Sequence, residues 1–226
     1  MSELISPRLL ELRPRLGNSA LARPLSTGER AQMVEAATTK IAELLSVLQV
    51  DHRCDHNTRD TPGRVAKMLV HEVMSGRYTR PPELTTFDNA TGAKELIVTG
   101  PIDVRSTCAH HLMPIYGKAY IGVLPSAEGG VIGLSKYDRI VEHFSSRLQI
   151  QEELNHQIGA YLMEQTRPVG LAVRISAVHM CKTHRGVRAT HSSRMVTSEY
   201  FGSFSERPDL RAEFLRECAS LERCAA

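Results

Sequence analysis

Between Gly170 and Cys181 the alternate residues Leu171, Val173, Ile175 and Ala177 are apolar. A repeat of two places the four side chains on one face of an extended strand. The segment then runs into His179-Met180-Cys181, whose outer members, two apart on a strand, point to the same face and can reach one site together. This stretch predicts a sheet whose tip carries soft ligands.

The rest of the chain supplies partners for that strand. Residues 95–105 and 116–124 are rich in β-branched and aromatic residues and flank Ser106-Thr107-Cys108-Ala109-His110-His111. A turn over Ser126–Gly130 follows. Tyr137, Ile140, Val141 and Phe144 stripe one helix, and Leu154, Ile158, Tyr161 and Leu162 stripe a second. The tail from Arg207 to Arg223 reads as a charged helix. Upstream, Thr27 precedes a helix with Met33, Ala37, Ile41, Leu44 and Leu48 in one stripe. Thr61-Pro62 caps and opens another helix that ends near Gly76. The expected class is α+β, in the order β-β-α-α-β-β with an N-terminal helical extension. Residues 1–26 read as a weakly ordered arm, 27–90 as a helical N-terminal region and 91–226 as a sheet-and-helix domain ending in a C-terminal helix.

Composition restricts function more than fold. A net charge of +3 over 226 residues is too small to argue for nucleic acid, and it does not oppose an anionic small substrate. No run approaches the roughly 18 apolar residues of a membrane span, and the N-terminus lacks the layout of a secretory leader. The five cysteines are odd in number and scattered, a poor disulfide framework that suits a reducing cytosol. A cytoplasmic protein with neither membrane nor nucleic-acid partner is the expectation.

Two distant segments hold the soft ligands, Cys108-Ala109-His110-His111 and His179-Met180-Cys181. Three thiolate or imidazole ligands with a fourth position left to water form the pattern of a catalytic zinc. Two histidines then remain for proton transfer. Read alone, each segment also fits a plainer role: Cys-x-x-His is a common spacing, and cysteine at a strand end is also a core residue. His52-x-Cys54-x-His56 falls in a polar loop and reads as surface, and Cys218 and Cys224 read as incidental. Cationic candidates are Arg64, Lys136, Arg139, Arg185 and Arg188. Ser135-Lys136 opens a helix after Gly133-Leu134, and free N–H groups at a helix N-terminus hold phosphate. Glu152 also begins a helix, where an acid suits the dipole; its special reading is a carboxylate accepting the N1–H and 2-amino protons of a guanine. Residue chemistry alone reaches metal-assisted hydrolysis of an anionic substrate.

The series TPGRVAKM, STCAHH, GLSKYDRIVEHF, QIQEEL, AVHMCKTHRGVR and VTSEYFGSF, in order between about residues 30 and 217, resembles the type I GTP cyclohydrolase family. The resemblance implies the tunnelling fold, with subunits pooling antiparallel sheets into a barrel and two barrels stacking into a homodecamer with pockets at subunit interfaces. By motif position it implies Cys108, His111 and Cys181 as zinc ligands and His110 and His179 as catalytic histidines. Glu152 resembles the guanine anchor, helped by Gln151 and the backbone around Ile132 and Leu134. Arg64, Ser135, Lys136, Arg139 and Arg185 resemble the triphosphate binders. The implied reaction is hydrolysis of GTP at C8, loss of formate, and rearrangement to 7,8-dihydroneopterin triphosphate at the head of pterin and folate synthesis, in an enzyme type that includes allosteric members.

Three positions depart from the family pattern: Ala109 stands where an acid is usual, His184 where a methionine or small residue is, and Arg194 where a threonine is common. They leave room for a specialised paralogue that gives a ring-opened or deazapurine-pathway product. The nitrile reductase of deazaguanine synthesis, on the same fold, needs a nucleophilic-cysteine motif that the chain lacks. A non-catalytic, zinc-stabilised oligomer that binds a purine nucleotide would have no use for His110 and His179 beside the metal.

Overall fold

The computed structural model describes residue 12 and residues 16–90, 92–127 and 129–224. The chain divides into two units, Met1–Arg80 and Pro81–Ala226. In the first, α1 (Thr27–Val47) begins with a capping box: the Ser26 hydroxyl accepts the Glu29 N–H, and the Glu29 carboxylate accepts the Ser26 N–H. The helix thus includes Thr27 as its first residue instead of starting after it. α2 (Thr61–Met68) carries Pro62 in its first turn and has no side-chain cap. It passes through a π-turn, Leu69–Val73, to α3 (Ser75–Tyr78). Leu25, Val70 and Tyr78 form the small core with Met33 and Val34 against it. The far end of the expected stripe is open, with Leu44 and Leu48 at 54% and 62% exposure.

The expected arm over residues 1–26 falls partly outside the described residues. Its described part from 16 onward is tied down: the Arg77 guanidinium donates to the carbonyls of Leu16, Gly17 and Ser19. The Leu21 and Leu25 N–H groups donate to the Arg77 and Tyr78 carbonyls.

The second unit runs β1 (Thr86–Asp88), β2 (Ile97–Cys108), β3 (Pro114–Leu124), β4 (Gly130–Ile132), α4 (Leu134–Ser145), β5 (Leu148–Gln149) and α5 (Gln151–Thr166). It continues with β6 (Gly170–His179), α6 (Met180–Thr183), β7 (Met195–Gly202), α7 (Ser203–Glu206) and α8 (Pro208–Cys224). The main sheet has the order β5-β2-β3-β6-β7. All its pairings are antiparallel except β5 on β2, which is parallel and only two residues long. β1 and β4 form a separate ribbon. The class is α+β with mainly antiparallel sheets, and no helix among the described residues is long and apolar enough to cross a membrane.

The alternation read in the sequence decides which face each residue takes. Leu171, Val173, Ile175 and Ala177 of β6 join Ile115, Ala119, Ile121 and Val123 of β3 beneath α4 and α5. The helices contribute Ile140, Val141 and Phe144, and Leu154, Ile158 and Leu162. On the opposite face Tyr120 and Ala172 meet Phe204, Leu210 and Phe214 of the C-terminal helices. β6 is thus covered on both faces, and each of its larger side chains gains about 1.5–3 kcal/mol from burial.

Two local features hold the sheet to the helices. Gly117 of β3 lies so close to β6 that an added Cβ would sit 2.1 Å from the Ser176 carbonyl oxygen and 2.5 Å from the Ala177 Cα. Below α4, the buried Arg147 donates to His143 Nε2 at 2.8 Å and lies over the Phe144 ring at 4.6 Å. The Gln149 side-chain amide donates to the Phe144 carbonyl at 2.6 Å and to Gln157 Oε1 at 3.0 Å. Burial, aided by the Arg147 charge, holds the His143 pKa down at about 4.

Gly117→Ala has no room to relax against backbone, so its cost lies at the upper end of overpacking, about 3 kcal/mol. Thermal unfolding at fixed protein concentration should show a Tm lower by roughly 6–12 °C. His143 is neutral in the folded chain but protonates near its ordinary value of 6.5 when unfolded. Its contribution to stability is therefore complete above pH 6.5 and is lost as pH falls toward about 4. Urea midpoints followed across that window should fall less steeply for His143→Gln than for the wild-type chain.

Candidate active site

The site grows from strand ends. β2 closes at Cys108 on the pair Thr107↔Pro114, and the loop that follows is pinned at both sides. The Cys108 N–H donates to the Met113 carbonyl at 2.8 Å and the Leu112 N–H to the Cys108 carbonyl at 2.9 Å, with Leu112 left-handed at φ 53°. A third bond, Ala109 N–H to the Gln149 carbonyl at 3.0 Å, extends the β2–β5 pairing into the loop. This tight path brings His111 back beside Cys108.

β6 delivers the other half. The strand ends at His179, and the chain winds at once into the single turn of α6, closed by the His184 N–H on the Met180 carbonyl at 2.9 Å. Cys181 therefore sits on a helical turn, not two places along a strand as the alternation predicts. The ligand atoms of Cys108, His111 and Cys181 nevertheless all lie within 4.8 Å of one another. Cys108 is buried, Cys181 partly buried and His111 exposed. Among the described residues this is the sole group of three such side chains that could hold an ion. His52-x-Cys54-x-His56 is no such group, although His52 itself is buried rather than on the surface.

Two sulfurs and an imidazole nitrogen are a soft to borderline donor set, which suits zinc and opposes magnesium or calcium. Burial raises the Cys181 pKa, the neighbouring Cys108 raises it further, and the Arg185 charge opposes both. An ion held there would reverse that balance, because a coordinating thiol is deprotonated outright.

Around the donors stand the other residues singled out in the sequence. His110 is exposed, its ring edge-on to that of His111 at 6.3 Å between centroids. His179 is half-buried; burial lowers its pKa, with Glu152 raising it and Lys182 lowering it. Its Nε2 lies 2.7 Å from Gln151 Oε1. Gln151, the first residue of α5, is only 1% exposed, so its side chain is spent inside the chain and not offered to solvent. Glu152, next along, is exposed and lines a cavity of about 250 Å³ with Asn155, Thr197, Ser198 and Glu199.

The cationic candidates divide. Ser135 and Arg139 are exposed in the first turns of α4, whose cap, Gly133, offers no side chain. Lys136 donates to the Glu83 carbonyl at 2.8 Å. Ile132 is buried at the end of β4, and Leu134 is 68% exposed at the helix start. Arg185 lies in the turn after α6 and acts on Cys181 through its charge. Arg64 belongs to the first unit, on α2, where it pairs with Asp60 at 3.3 Å. The sequence reading missed Asn155: it is 1% exposed and both polar atoms of its amide lack a hydrogen-bond partner. Its only signal was a polar residue three places after Glu152, on the helix face otherwise given to core.

A family model described as GTP cyclohydrolase I matches residues 29–219. The chain is 42% identical over 176 residues to GTP cyclohydrolase 1 of Shewanella denitrificans, covering 77% of this chain and 79% of that one. It is 38% identical over 203 residues to GTP cyclohydrolase 1 of Pectobacterium carotovorum, covering 87% and 90%. The counterpart in Flavobacterium johnsoniae is 40% identical over 185 residues, covering 81% of each.

Zinc added to metal-depleted chain should bind at one ion per chain. Cys181→Ala removes one of three donors and should weaken that binding more than about 100-fold, beyond the usual loss from an outer-shell change. Metal content after gel filtration measures it, and a variant that keeps stoichiometric zinc contradicts the ligand set.

Proposed function

The chain belongs to the GTP cyclohydrolase I family and is an enzyme of that type, and from this we propose that it hydrolyses GTP at C8, releases formate and closes the product to 7,8-dihydroneopterin triphosphate. The observation that carries the reading is the meeting of Cys108, His111 and Cys181 within 4.8 Å, at sheet ends shared with His179. Those three residues would hold zinc. When bound, zinc supplies Lewis acidity that brings the pKa of water down toward neutrality.

The chain's own residues do the remainder. The two oxygens of Glu152 accept the N1–H and one 2-amino N–H of guanine, a pair of parallel donors that adenine does not present. The backbone at Ile132 and Leu134 borders the base. Ser135, Lys136, Arg139 and Arg185 balance the triphosphate, with the N–H groups at the start of α4 adding to the cradle. With the base so oriented, His179 gives a proton to N7, which makes C8 electrophilic. Water adds at C8, the imidazole ring opens to a formamide, and a second water releases formate. His110 protonates the ribose ring oxygen as the sugar opens. An Amadori rearrangement then sets a ketone beside the freed amine, and their condensation returns one water. Overall one water is consumed for each formate released. His110 stands exposed on the loop after β2, while His179 is held at a strand end by Gln151.

The sheet also supports assembly. β7 is an outer strand, and β5 covers only Thr107 and Cys108 of β2. Those outer edges are suited to pairing with other copies into the barrel of a homodecamer, an arrangement fit for a cytoplasmic enzyme.

Purified zinc-loaded protein given GTP should yield formate in equal amount to the GTP consumed, and a fluorescent pterin after oxidation. Formate without a pterin would replace this reading by a ring-opening activity. His110→Ala and His179→Ala should each lower kcat by about 10²–10⁴-fold, the usual worth of a positioned acid or base.

A further inference from the structure

Gln151 is buried at the first position of α5 and reaches across the end of β6 to β7. One end of its side-chain amide faces the Ile175 carbonyl at 3.1 Å, the Met195 carbonyl at 3.2 Å and the Thr197 hydroxyl at 2.9 Å. Backbone carbonyls can only accept, so that end must be the NH₂ group. The opposite end is then the carbonyl oxygen, which also can only accept. It lies 2.7 Å from His179 Nε2. An imidazole nitrogen facing a pure acceptor has to carry a hydrogen.

We propose that Gln151 is a positioning residue that fixes His179 with its hydrogen on Nε2, leaving Nδ1 as the nitrogen that exchanges a proton with the substrate. The two backbone carbonyls act as a key, since neither can rotate or change its polarity. Flipping the amide would set oxygen against oxygen at two places and NH₂ against the ring. The Nε2–H points at the Gln151 oxygen, so Nδ1 is the ring nitrogen left open. The same bond keeps Nε2 from serving as a fourth protein ligand to an ion, in keeping with a ligand group of Cys108, His111 and Cys181 that omits His179. The inference rests on the reading of His179 as a proton-transferring group. It gives Gln151 a different task from contact with guanine.

Two measurements on the full chain test it. The first is solid-state ¹⁵N NMR of histidine-labelled, zinc-loaded protein, with His179 identified by difference from His179→Gln. The neutral ring should show a protonated Nε2 and a bare Nδ1; a hydrogen on Nδ1 overturns the proposal, and this result does not depend on how any Gln151 variant folds. The second is steady-state kinetics of Gln151→Met. Loss of the tautomer lock should lower kcat by about 10²–10³-fold while KM for GTP stays within about threefold and zinc content is unchanged. A raised KM with normal kcat would instead make Gln151 a substrate contact and overturn the proposal. If His179→Gln is inactive and Gln151→Met is normal, the inference fails while the role of His179 stands. If His179→Gln itself turns over normally, the role of His179 fails first.

Discussion

The parallel pairing of β5 with the end of β2 is the constraint on which the site depends. It is only two residues long, Thr107↔Leu148 and Cys108↔Gln149, yet it joins three parts of the chain. The Ala109 N–H to Gln149 carbonyl bond fixes the loop that carries His110 and His111. Two residues after Gln149, the helix bearing Gln151 and Glu152 begins. A strand so short could not stand unaided, and the Arg147–His143 pair with the Gln149 amide ties it to the helix above. Cys108, His110, His111, Gln151 and Glu152 therefore share one local frame.

The electrostatics of that frame follow from burial. Cys181 has its thiol form favoured and His179 its neutral form. The partly buried site favours the uncharged form of both, and Arg139 near the start of α4 and Arg185 in the turn after α6 are exposed cations.

Much of this was legible in the sequence because periodicity reports on large apolar faces. The alternation of Leu171, Val173, Ile175 and Ala177, and the stripe of Tyr137, Ile140, Val141 and Phe144, gave the sheet and the helices because each pattern records a single buried surface. Other features left no such trace. β5 is too short to show a period, and Cys181 leaves its strand because the main chain turns at Met180, a choice set by local hydrogen bonds. The task of Gln151 depends on two carbonyls that no side-chain pattern encodes, one of them 44 residues away. Asn155 was hidden for a related reason: a buried amide with empty hydrogen-bond positions looks in sequence like any polar residue on a helix.

The close approach at Gly117 has a wider consequence. With no side chain between them, β3 and β6 are locked in one register, since a slip of either strand would bring a Cβ into the space that only a bare α-carbon can occupy. His179, opposite Ile115 on the same ladder, inherits that registration. Substitutions in the exposed turns can therefore accumulate without moving His179 from its place in the sheet, so that the surface and the strand ends can diverge along separate evolutionary paths.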